Sequence, residues 1–352
     1  MGVVESVKGL LWARRRQPDE VAYGISLAHE RYQPDELLEQ AAAAEQAGFD
    51  AVCCSDHLEP WWDPGRPTPA ACGNAWVWLG AVGQATSRIS LGTAVTGLLH
   101  RYNPVVVAQQ VATLENLNPG RAFLAVGSSE AMNEIPAGLL DWPSTGEQLR
   151  RTEEALTIVT RLLDGEVVDF DGEFFRTKHA RLYVRTERRP PVYLSAFNER
   201  AAEVAGRLAD GVWTLGDPRQ VGGIIAAYRR GAEQASRESG EIVLQTLASW
   251  APEDDVAFDA AREWKGTLVD AHYTDPIADP AEVGRNGSEQ VSDTTLKAMT
   301  IVSSDPSDHV KKIRLLEKMG ATAVVVMNTS GSNALGMVRT YGDEVLPQLR
   351  DR

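Results

Sequence analysis

Four clusters of polar and aromatic residues contain the side chains of this 352-residue sequence that could do chemistry. They run from Ser55 to Trp61, from Arg101 to Pro104, from Gly127 to Glu134 and from Ser195 to Asn198. A histidine and a carboxyl group can exchange protons near neutral pH, so His57 and Glu130 would form an acid–base pair if the fold brought them together.

Each of these residues also has an ordinary structural role. A histidine just after a strand is often a loop residue with local hydrogen bonds, and Trp61 would suit packing at a rim. Glu130 could cap the next helix, because a carboxylate there interacts favourably with the helix dipole. Only the joint occurrence of such residues after several strands favours catalysis.

The elements between the clusters predict an α/β fold, a (β/α)8 TIM barrel. Short β-branched runs alternate with longer amphipathic stretches, which is typical of βα units and a parallel sheet. Active sites of such barrels lie at the carboxyl ends of the strands, and each polar cluster follows a predicted strand. The eight predicted strands are Val21–Leu27, Ala51–Ser55, Ile89–Thr96, Ala122–Val126, Pro191–Ala196, Gly211–Thr214, Ile242–Ser249 and Ala323–Met327.

Two segments interrupt this alternation. Val167 to Tyr183, with alternating residues around Asp171-Gly172, predicts a hairpin insertion. Residues 266–298 are rich in Asp, Thr, Ser, Gly and Pro, and we expect an irregular lid or insertion there. Residues 1–20, with the basic run Arg14–Arg16, are interpreted as a lead-in. We expect residues 1–352 to form a single barrel domain.

The bulk composition argues against several classes of partner. The formal net charge is -14, whereas nucleic acid and anionic membranes attract clustered Lys and Arg. No apolar run approaches the ~20 residues of a membrane span. The three cysteines, Cys53, Cys54 and Cys72, suit a reducing compartment, so we expect a cytoplasmic protein. Cys53 and Cys54 would point to opposite faces of a strand and the six histidines are scattered, so no metal site is expected.

Three motifs carry a family resemblance. SDHLEPW (Ser55 to Trp61), HRYNP (His100 to Pro104) and GSSEAMNE (Gly127 to Glu134) resemble the F420-dependent glucose-6-phosphate dehydrogenases, a branch of the luciferase-like barrels. The likeness extends from Tyr23 through Leu349. It implies a barrel that uses the deazaflavin coenzyme F420 to move hydride to or from an alcohol carbon. Such a reaction needs a base for the hydroxyl proton and a hydride acceptor that no side chain supplies.

Matched residue by residue, the resemblance implies a role for each cluster. His57 matches the base for the substrate hydroxyl, Trp61 the tryptophan beside it, and Glu130 the acid that exchanges a proton with the deazaflavin. Glu30 matches a substrate-pocket glutamate, and Ala94-Val95 a non-prolyl cis peptide that backs the ring. The other residues implied in coenzyme binding are Asp56, Asn133 and the phosphate-tail loop Ser195, Ala196, Phe197 and Asn198.

The sequence departs from that family where a sugar phosphate would be held. The positions that match two lysines and an arginine read Asp217, Asp270 and Met299. Each lost charge-assisted contact is worth about 1.5–3 kcal/mol, so a dianionic phosphate should be repelled. We expect a neutral or cationic alcohol, sugar or glycoside, or a ketone in the reverse reaction. Both acids could also be simple surface charge, which weakens only the argument for a cationic substrate.

Two alternatives stay open. An FMN-dependent luciferase-like monooxygenase would use the same barrel, although the pair His57 and Glu130 fits dehydrogenation better. A catalytically idle deazaflavin- or flavin-binding protein would not need both residues and Trp61 intact. No G-x-G-x-x-G follows a strand, which disfavours a Rossmann nicotinamide enzyme. Because relatives of the resembled family are often homodimers, we expect a homodimer.

Overall fold

A closed ring of eight parallel strands forms the centre of the computed structural model, which describes residues 20–65 and 69–351. Each strand pairs with the next along the chain, and the last pairs with the first. The predicted (β/α)8 barrel is therefore confirmed. The strands are β1 Ala22–Leu27, β2 Ala51–Cys54, β3 Ser90–Thr93, β4 Ala122–Gly127, β5 Val192–Ser195, β6 Gly211–Leu215, β7 Glu241–Ser249 and β8 Ala323–Asn328.

The predicted third strand is shorter than expected. β3 ends at Thr93, and the peptide bond between Ala94 and Val95 that follows is cis. A two-residue strand, Thr96–Gly97, then pairs with β4. The interruption places residues 94 and 95 at the carboxyl end of the barrel.

Helices surround the barrel, and several begin at caps that the sequence shows. The side chains of Asn74, Asn103 and Ser144 each accept a main-chain N–H of the first turn, which stabilises helix starts. The α-helices are Pro34–Ala47, Ala75–Ala85, Pro104–Leu117, Ala131–Glu134, Thr145–Leu163, Glu199–Leu208, Val221–Gln234, Asp254–Arg262, Pro280–Gln290, Asp293–Met299, Pro306–Lys318, Ala334–Thr340 and Leu346–Arg350. Short 3-10 turns at Lys265–Leu268, Asp270–Tyr273 and Gly331–Asn333 and a π turn at Tyr341–Val345 complete the helical elements.

The strands separate two apolar layers. Outside the barrel, the strands pack against the helices; inside it, a second cluster is built around the rings of Phe123, Tyr193 and Trp213. The centroids of these three rings lie 6.0–6.3 Å apart. Cys53 belongs to the inner cluster and Cys54 to the outer one, as alternation along a strand predicts.

The predicted hairpin insertion is confirmed. Val168–Asp171 pairs antiparallel with Arg176–Ala180. The turn is held by Glu154 of the preceding helix, whose carboxylate accepts the main-chain N–H groups of three turn residues, at 2.7–3.1 Å from the nitrogens of Glu173, Phe174 and Phe175.

The expectation of an irregular segment at residues 266–298 is wrong. Residues 265–299, called here the cover segment, contain two 3-10 turns and two α-helices. Asp279 and Ser292 cap the two α-helices. Gly287 lowers the helix propensity of its segment. A Cβ at this position would clash with the main chain of Gly266, so the glycine allows the helix to pack closely against the first 3-10 turn. A small apolar cluster that includes Val291 and Leu296 stabilises the segment.

The remaining expectations concern the ends and bulk of the chain. The lead-in, including Arg14–Arg16, lies outside the described residues up to residue 19. In the two described ranges, no helix has the length and apolar character to cross a membrane. No group of three or more His, Cys, Asp or Glu side chains in those ranges could hold a metal ion. The single-domain organisation stays a prediction.

Candidate active site

A cavity opens at the carboxyl ends of the barrel strands, which is the end predicted to hold the site. Its empty volume is about 980 Å³, including the part that is open to solvent. Of the residues proposed from the sequence, those lining it are Glu30, Asp56, His57, Trp61, Ala94, Val95, Glu130, Ser195, Phe197, Asp217 and Met299.

Four residues proposed from the sequence do not line the cavity. Asn133 and Ala196 are buried behind its wall. The side chain of Asn198 instead caps helix Glu199–Leu208 by accepting the N–H of Ala201. Asp270 is exposed, and the assignment of Asp270 to the substrate wall is corrected, because the turn Asp270–Tyr273 presents Tyr273 to the cavity instead.

His57 has one ring nitrogen directed at the protein and the other at Glu130. Nδ1 lies 3.2 Å from the carbonyl oxygen of Glu59 and 3.7 Å from Oε1 of Glu30. Both oxygens accept hydrogen bonds, so they favour a hydrogen on Nδ1. The Asn133 amide nitrogen would instead donate to Nδ1, but it is farther away, at 3.4 Å. The network therefore assigns the hydrogen to Nδ1. This tautomer leaves the lone pair on Nε2, which lies 3.9 Å from Oε2 of Glu130.

Glu30 links the histidine to the tryptophan beside it. The Glu30 side chain is fully buried and accepts hydrogen bonds from Ser55 Oγ at 2.5 Å and from Trp61 Nε1 at 3.2 Å. The Trp61 ring is thereby held with its centroid 5.1 Å from that of His57. The end of β1 therefore orients two residues of the loop that follows β2.

Asn133 connects Glu130 to the loop that carries His57. Its amide oxygen accepts the main-chain N–H of Leu58 at 2.8 Å, which directs the amide nitrogen to donate to Glu130 Oε2 at 2.9 Å. Glu130 stands at the start of helix Ala131–Glu134 but makes no side-chain cap there. The carboxyl group is directed to the cavity rather than used for capping.

Sequence reasoning missed two charged residues behind this site, Arg101 and Glu134, although both lie in the motifs quoted for the resemblance. The Arg101 guanidinium donates to the main-chain oxygen of Asp56 and lies 3.5 Å from its Oδ1. The main-chain N–H of Arg101 donates to Glu134 Oε2 at 2.7 Å, yet burial still raises the pKa of Glu134 above its ordinary value. Asp56 also accepts hydrogen bonds from Thr96 and Tyr102.

The walls near Ala94 and Val95 are apolar and close together. The cis peptide between these two residues is present, as the resemblance predicts. A Cβ at Gly127 would lie 3.0 Å from Val95 Cγ2 and 3.4 Å from Ser195 Cβ, so glycine leaves room for both neighbours. The ends of β3, β4 and β5 therefore meet without a side chain from Gly127 projecting between them.

The wall at the end of β6 is acidic. Both carboxylate oxygens of Asp217 accept hydrogen bonds from the Arg219 guanidinium, at 2.7–3.1 Å. These bonds hold the pKa of Asp217 below its ordinary value. The Arg219 side chain itself is 74% exposed and does not line the cavity. Among the described residues that do line it, none is a lysine or an arginine.

An aromatic roof, which sequence reasoning also missed, covers part of the cavity. The Tyr273 ring lies 5.7 Å from the Trp61 ring and 5.1 Å, edge to face, from the Phe197 ring. Burial raises the pKa of the Tyr273 phenol, whose hydroxyl donates to the carbonyl oxygen of Thr267 at 2.8 Å. Tyr273 could not be found because its segment was expected to be irregular.

Comparison with known proteins gives a consistent result. The family model of luciferase-like monooxygenases matches residues 11–323. Relatives named F420-dependent glucose-6-phosphate dehydrogenase, from Microbacterium testaceum (strain StLB037) and Mycolicibacterium smegmatis, are 36% and 34% identical, with 94% of this chain and 98% of each relative covered.

Solved structures agree with these relatives. An F420-dependent secondary alcohol dehydrogenase in complex with an F420-acetone adduct is 32% identical, with a TM-score of 0.88 over 94% of this chain and 100% of that chain. A coenzyme F420-dependent tetrahydromethanopterin reductase from Methanopyrus kandleri, 22% identical with a TM-score of 0.75 over 94% of this chain and 100% of that chain, shares the fold.

The comparisons decide between the alternatives left by the sequence. They support a deazaflavin enzyme and do not favour the FMN-dependent monooxygenase or the idle binding protein. The chain belongs to the luciferase-like monooxygenase family and is an oxidoreductase of its F420-dependent dehydrogenase branch.

Proposed function

We propose that this protein transfers hydride between the carbon of a non-phosphorylated alcohol and coenzyme F420, in the direction of oxidation or of carbonyl reduction. The observation that carries the proposal is the pairing of His57 and Glu130 in one cavity, with Nε2 and Oε2 3.9 Å apart. A base and an acid at this separation can serve the two proton transfers that accompany hydride transfer.

The residues of the cavity fit the coenzyme. Ala94 and Val95 offer an apolar wall to a planar ring, and the polar side chains of Asp56, Glu130 and Ser195 line the same cavity. We assign Asp56, Ser195 and Phe197, together with that wall, to holding the coenzyme. When bound, F420 supplies the carbon that takes or gives hydride and a ring nitrogen that takes or gives a proton.

The side chains divide the proton transfers between them. His57 accepts the hydroxyl proton at Nε2, while its Nδ1 hydrogen remains on the Glu59 carbonyl oxygen. The buried Glu30 carboxylate, 3.7 Å from Nδ1, stabilises the imidazolium that forms. Because Glu130 Oε2 already accepts the Asn133 amide, Oε1 is the oxygen that holds and transfers the other proton. Reduction reverses both transfers.

The charges of the wall argue against a phosphate ester. The carboxylates of Glu30, Asp56 and Asp217 line the cavity, beside Glu130, to which the proposal assigns a proton in the direction of oxidation. The nearby Arg219 guanidinium is bound to Asp217. A dianion would lose charge-assisted hydrogen bonds worth about 1.5–3 kcal/mol each and would meet like charge. We therefore propose that this protein acts on a different substrate from the relatives named for glucose 6-phosphate.

A coenzyme and substrate panel tests the proposal. Purified protein is titrated with F420 and, separately, with FMN, and binding is followed by fluorescence. Loss of the visible absorbance of oxidised F420 is then followed with unphosphorylated alcohols and sugars and with glucose 6-phosphate. We expect F420 binding and turnover of an unphosphorylated alcohol. Binding of FMN with none of F420, or rapid turnover of glucose 6-phosphate, would refute it.

The assembly is a separate part of the proposal. We propose a homodimer, supported by the family to which the chain belongs. Light scattering of the eluted protein should give twice the 38.3 kDa mass of the chain. A mass equal to one chain at micromolar concentration would contradict it.

A further inference from the structure

We propose that the substrate is an alcohol, or the matching carbonyl compound, with an apolar rather than a polyhydroxylated skeleton. This inference rests on the proposed function and narrows its substrate class. It follows from the far wall of the cavity, defined here as the lining residues contributed by β6, β7 and the cover segment.

The hydroxyl groups of the far wall have already donated their hydrogens. Thr267 Oγ1 donates to the Trp264 carbonyl oxygen at 2.7 Å, and the Tyr273 hydroxyl donates to the Thr267 carbonyl oxygen at 2.8 Å. Thr246 Oγ1 lies 3.4 Å from the Leu247 carbonyl oxygen. The hydroxyl hydrogens of Thr267 and Tyr273 are thus directed into the main chain, so these two groups offer a ligand only acceptor oxygens.

The strong acceptors of the far wall are also occupied. Gln245 Oε1 accepts the Trp213 indole N–H at 2.9 Å. Both oxygens of Asp217 are bound by Arg219. The Gln245 amide nitrogen keeps hydrogens for a ligand, which suffices for one polar substituent.

The rest of the far wall is apolar. Its remaining side chains and the roof above them are aliphatic, thioether or aromatic, with Met327 of β8 adjoining them. Each additional methylene buried there favours binding by about fourfold. Each hydroxyl buried without a partner disfavours binding or turnover by roughly tenfold to a hundredfold. The apolar members of the far wall are Trp213, Leu215, Leu247, Leu268, Tyr273 and Met299, and Trp61 and Phe197 complete the roof.

The proposed step balances with the groups already assigned. In oxidation, the alcohol C–H bond breaks and its hydrogen leaves with both electrons as hydride to the bound deazaflavin. The hydroxyl proton passes to His57 Nε2, and the carbon–oxygen double bond forms. A bound deazaflavin would supply the hydride acceptor, and Glu130 Oε1 would supply the proton that balances its charge. Reduction of the carbonyl compound reverses each transfer.

A matched series of six-membered rings tests the skeleton directly. Cyclohexanol, trans-1,2-cyclohexanediol and myo-inositol share one carbon ring and differ in hydroxyl number. We expect kcat/KM, followed by loss of F420 absorbance, to change less than tenfold from cyclohexanol to the diol, whose second hydroxyl can accept from the Gln245 amide. It should fall at least tenfold from the diol to myo-inositol. Turnover of myo-inositol or glucose equal to that of cyclohexanol would overturn the inference while leaving the proposed function intact.

A binding measurement decides the same question without the coenzyme. Calorimetric titration of the coenzyme-free protein with cyclohexanone should give at least tenfold tighter binding than titration with myo-inositol. Equal or reversed affinities would overturn the inference. If no alcohol reduces F420 but cyclohexanone still binds more tightly than myo-inositol, the proposed function is refuted and the inference of an apolar binding wall is retained.

A variant locates the preference in the far wall. Met299→Gln is nearly isosteric and half-buried, so the fold tolerates it, and it should lower the cyclohexanol-to-myo-inositol ratio of kcat/KM about tenfold. Leu140→Gln makes a similar change at a side chain that is 80% exposed and outside the cavity, and it should leave that ratio unchanged. An unchanged ratio in Met299→Gln would overturn the assignment.

Discussion

Replacing Arg101 with leucine should weaken both the fold and the coenzyme site, because one guanidinium serves two buried acids. It lies 3.5 Å from Asp56 Oδ1 and 3.9 Å from Glu134 Oε1. The side chains of these acids are 2% and 0% exposed. Asp56 is assigned to the coenzyme, so the variant should also bind F420 less tightly.

The magnitude follows from the geometry. Breaking a buried ion pair from one side costs about 3–5 kcal/mol of folding free energy. The lower value, about 3 kcal/mol, applies here because both charge separations are long and Asp56 keeps hydrogen bonds from Thr96 and Tyr102. The folded pKa of Glu134 lies above its ordinary value of 4.5, and losing Arg101 raises it further. The loss of folding free energy in Arg101→Leu should therefore be present at pH 7 and become smaller as the pH falls towards 4.5.

Urea unfolding at pH 7 and pH 5 measures this effect. Arg176→Leu is the control, because that arginine and its partner Asp171 are largely exposed, and its unfolding midpoint should not move. Arg101→Leu made in a Glu134→Gln background should cost at least about 0.5 kcal/mol less than in the wild type. The reasoning is refuted if Arg101→Leu behaves like Arg176→Leu, or if the effects of the two substitutions add.

Three further predictions concern the base, acid stability and the cover segment. His57→Asn should lower kcat about 10²- to 10⁴-fold while F420 affinity, measured by fluorescence, stays near that of the wild type; an unchanged kcat contradicts the base. Burial lowers the pKa of His309 below 6.5, so the unfolded chain binds a proton that the folded protein does not. Stability to urea should therefore fall by up to about 1.4 kcal/mol per pH unit below 6.5, and His309→Gln should flatten that slope. Gly287→Ala should lower the free energy of unfolding by about 1–3 kcal/mol, because the added methyl group clashes with Gly266. Gly222→Ala, on an open helix surface, is the control and should raise it by up to about 1 kcal/mol. Equal effects of the two variants in thermal unfolding would count against close packing of the cover segment.

The barrel was predictable because its signals are local. A parallel strand buried on both faces appears as an uninterrupted apolar run, as at residues 323–327, and proline at Pro104 marks the start of a helix. Hence each predicted strand overlaps a strand of the structure. The third strand ends early because the chain turns at the cis peptide after Ala94, which apolar patterning does not report.

The cover segment was not predictable by the same reasoning. Helix Pro280–Gln290 contains Gly284 and Gly287, which lower helix propensity and read as loop residues. A Cβ at Gly287 would clash with the main chain of Gly266, and one at Gly284 would be tight against that of Trp62. A contact between segments distant in sequence thus overrides local propensity. The cap residues in front of the two helices were the signal available.

Some residues of the candidate site could likewise be predicted from the sequence, and others could not. His57 and Glu130 could be placed together because each follows a barrel strand, and parallel strands end at one rim. Only contact geometry shows that the Arg101 guanidinium lies near the carboxylates of both Asp56 and Glu134. Asp270 was assigned to the cavity because the 3-10 turn Asp270–Tyr273 was not predicted. The geometry of that turn directs Tyr273, and not Asp270, to the cavity.

The three aromatic rings packed inside the barrel have a consequence for the order of binding and release. Phe123, Tyr193 and Trp213 fill the channel along the barrel axis, and Trp213 also forms part of the cavity floor. Both reactants must then arrive and depart through the same opening. Whichever of the two occupies the deeper position has to enter first and leave last, so turnover should follow a compulsory sequence of binding and release.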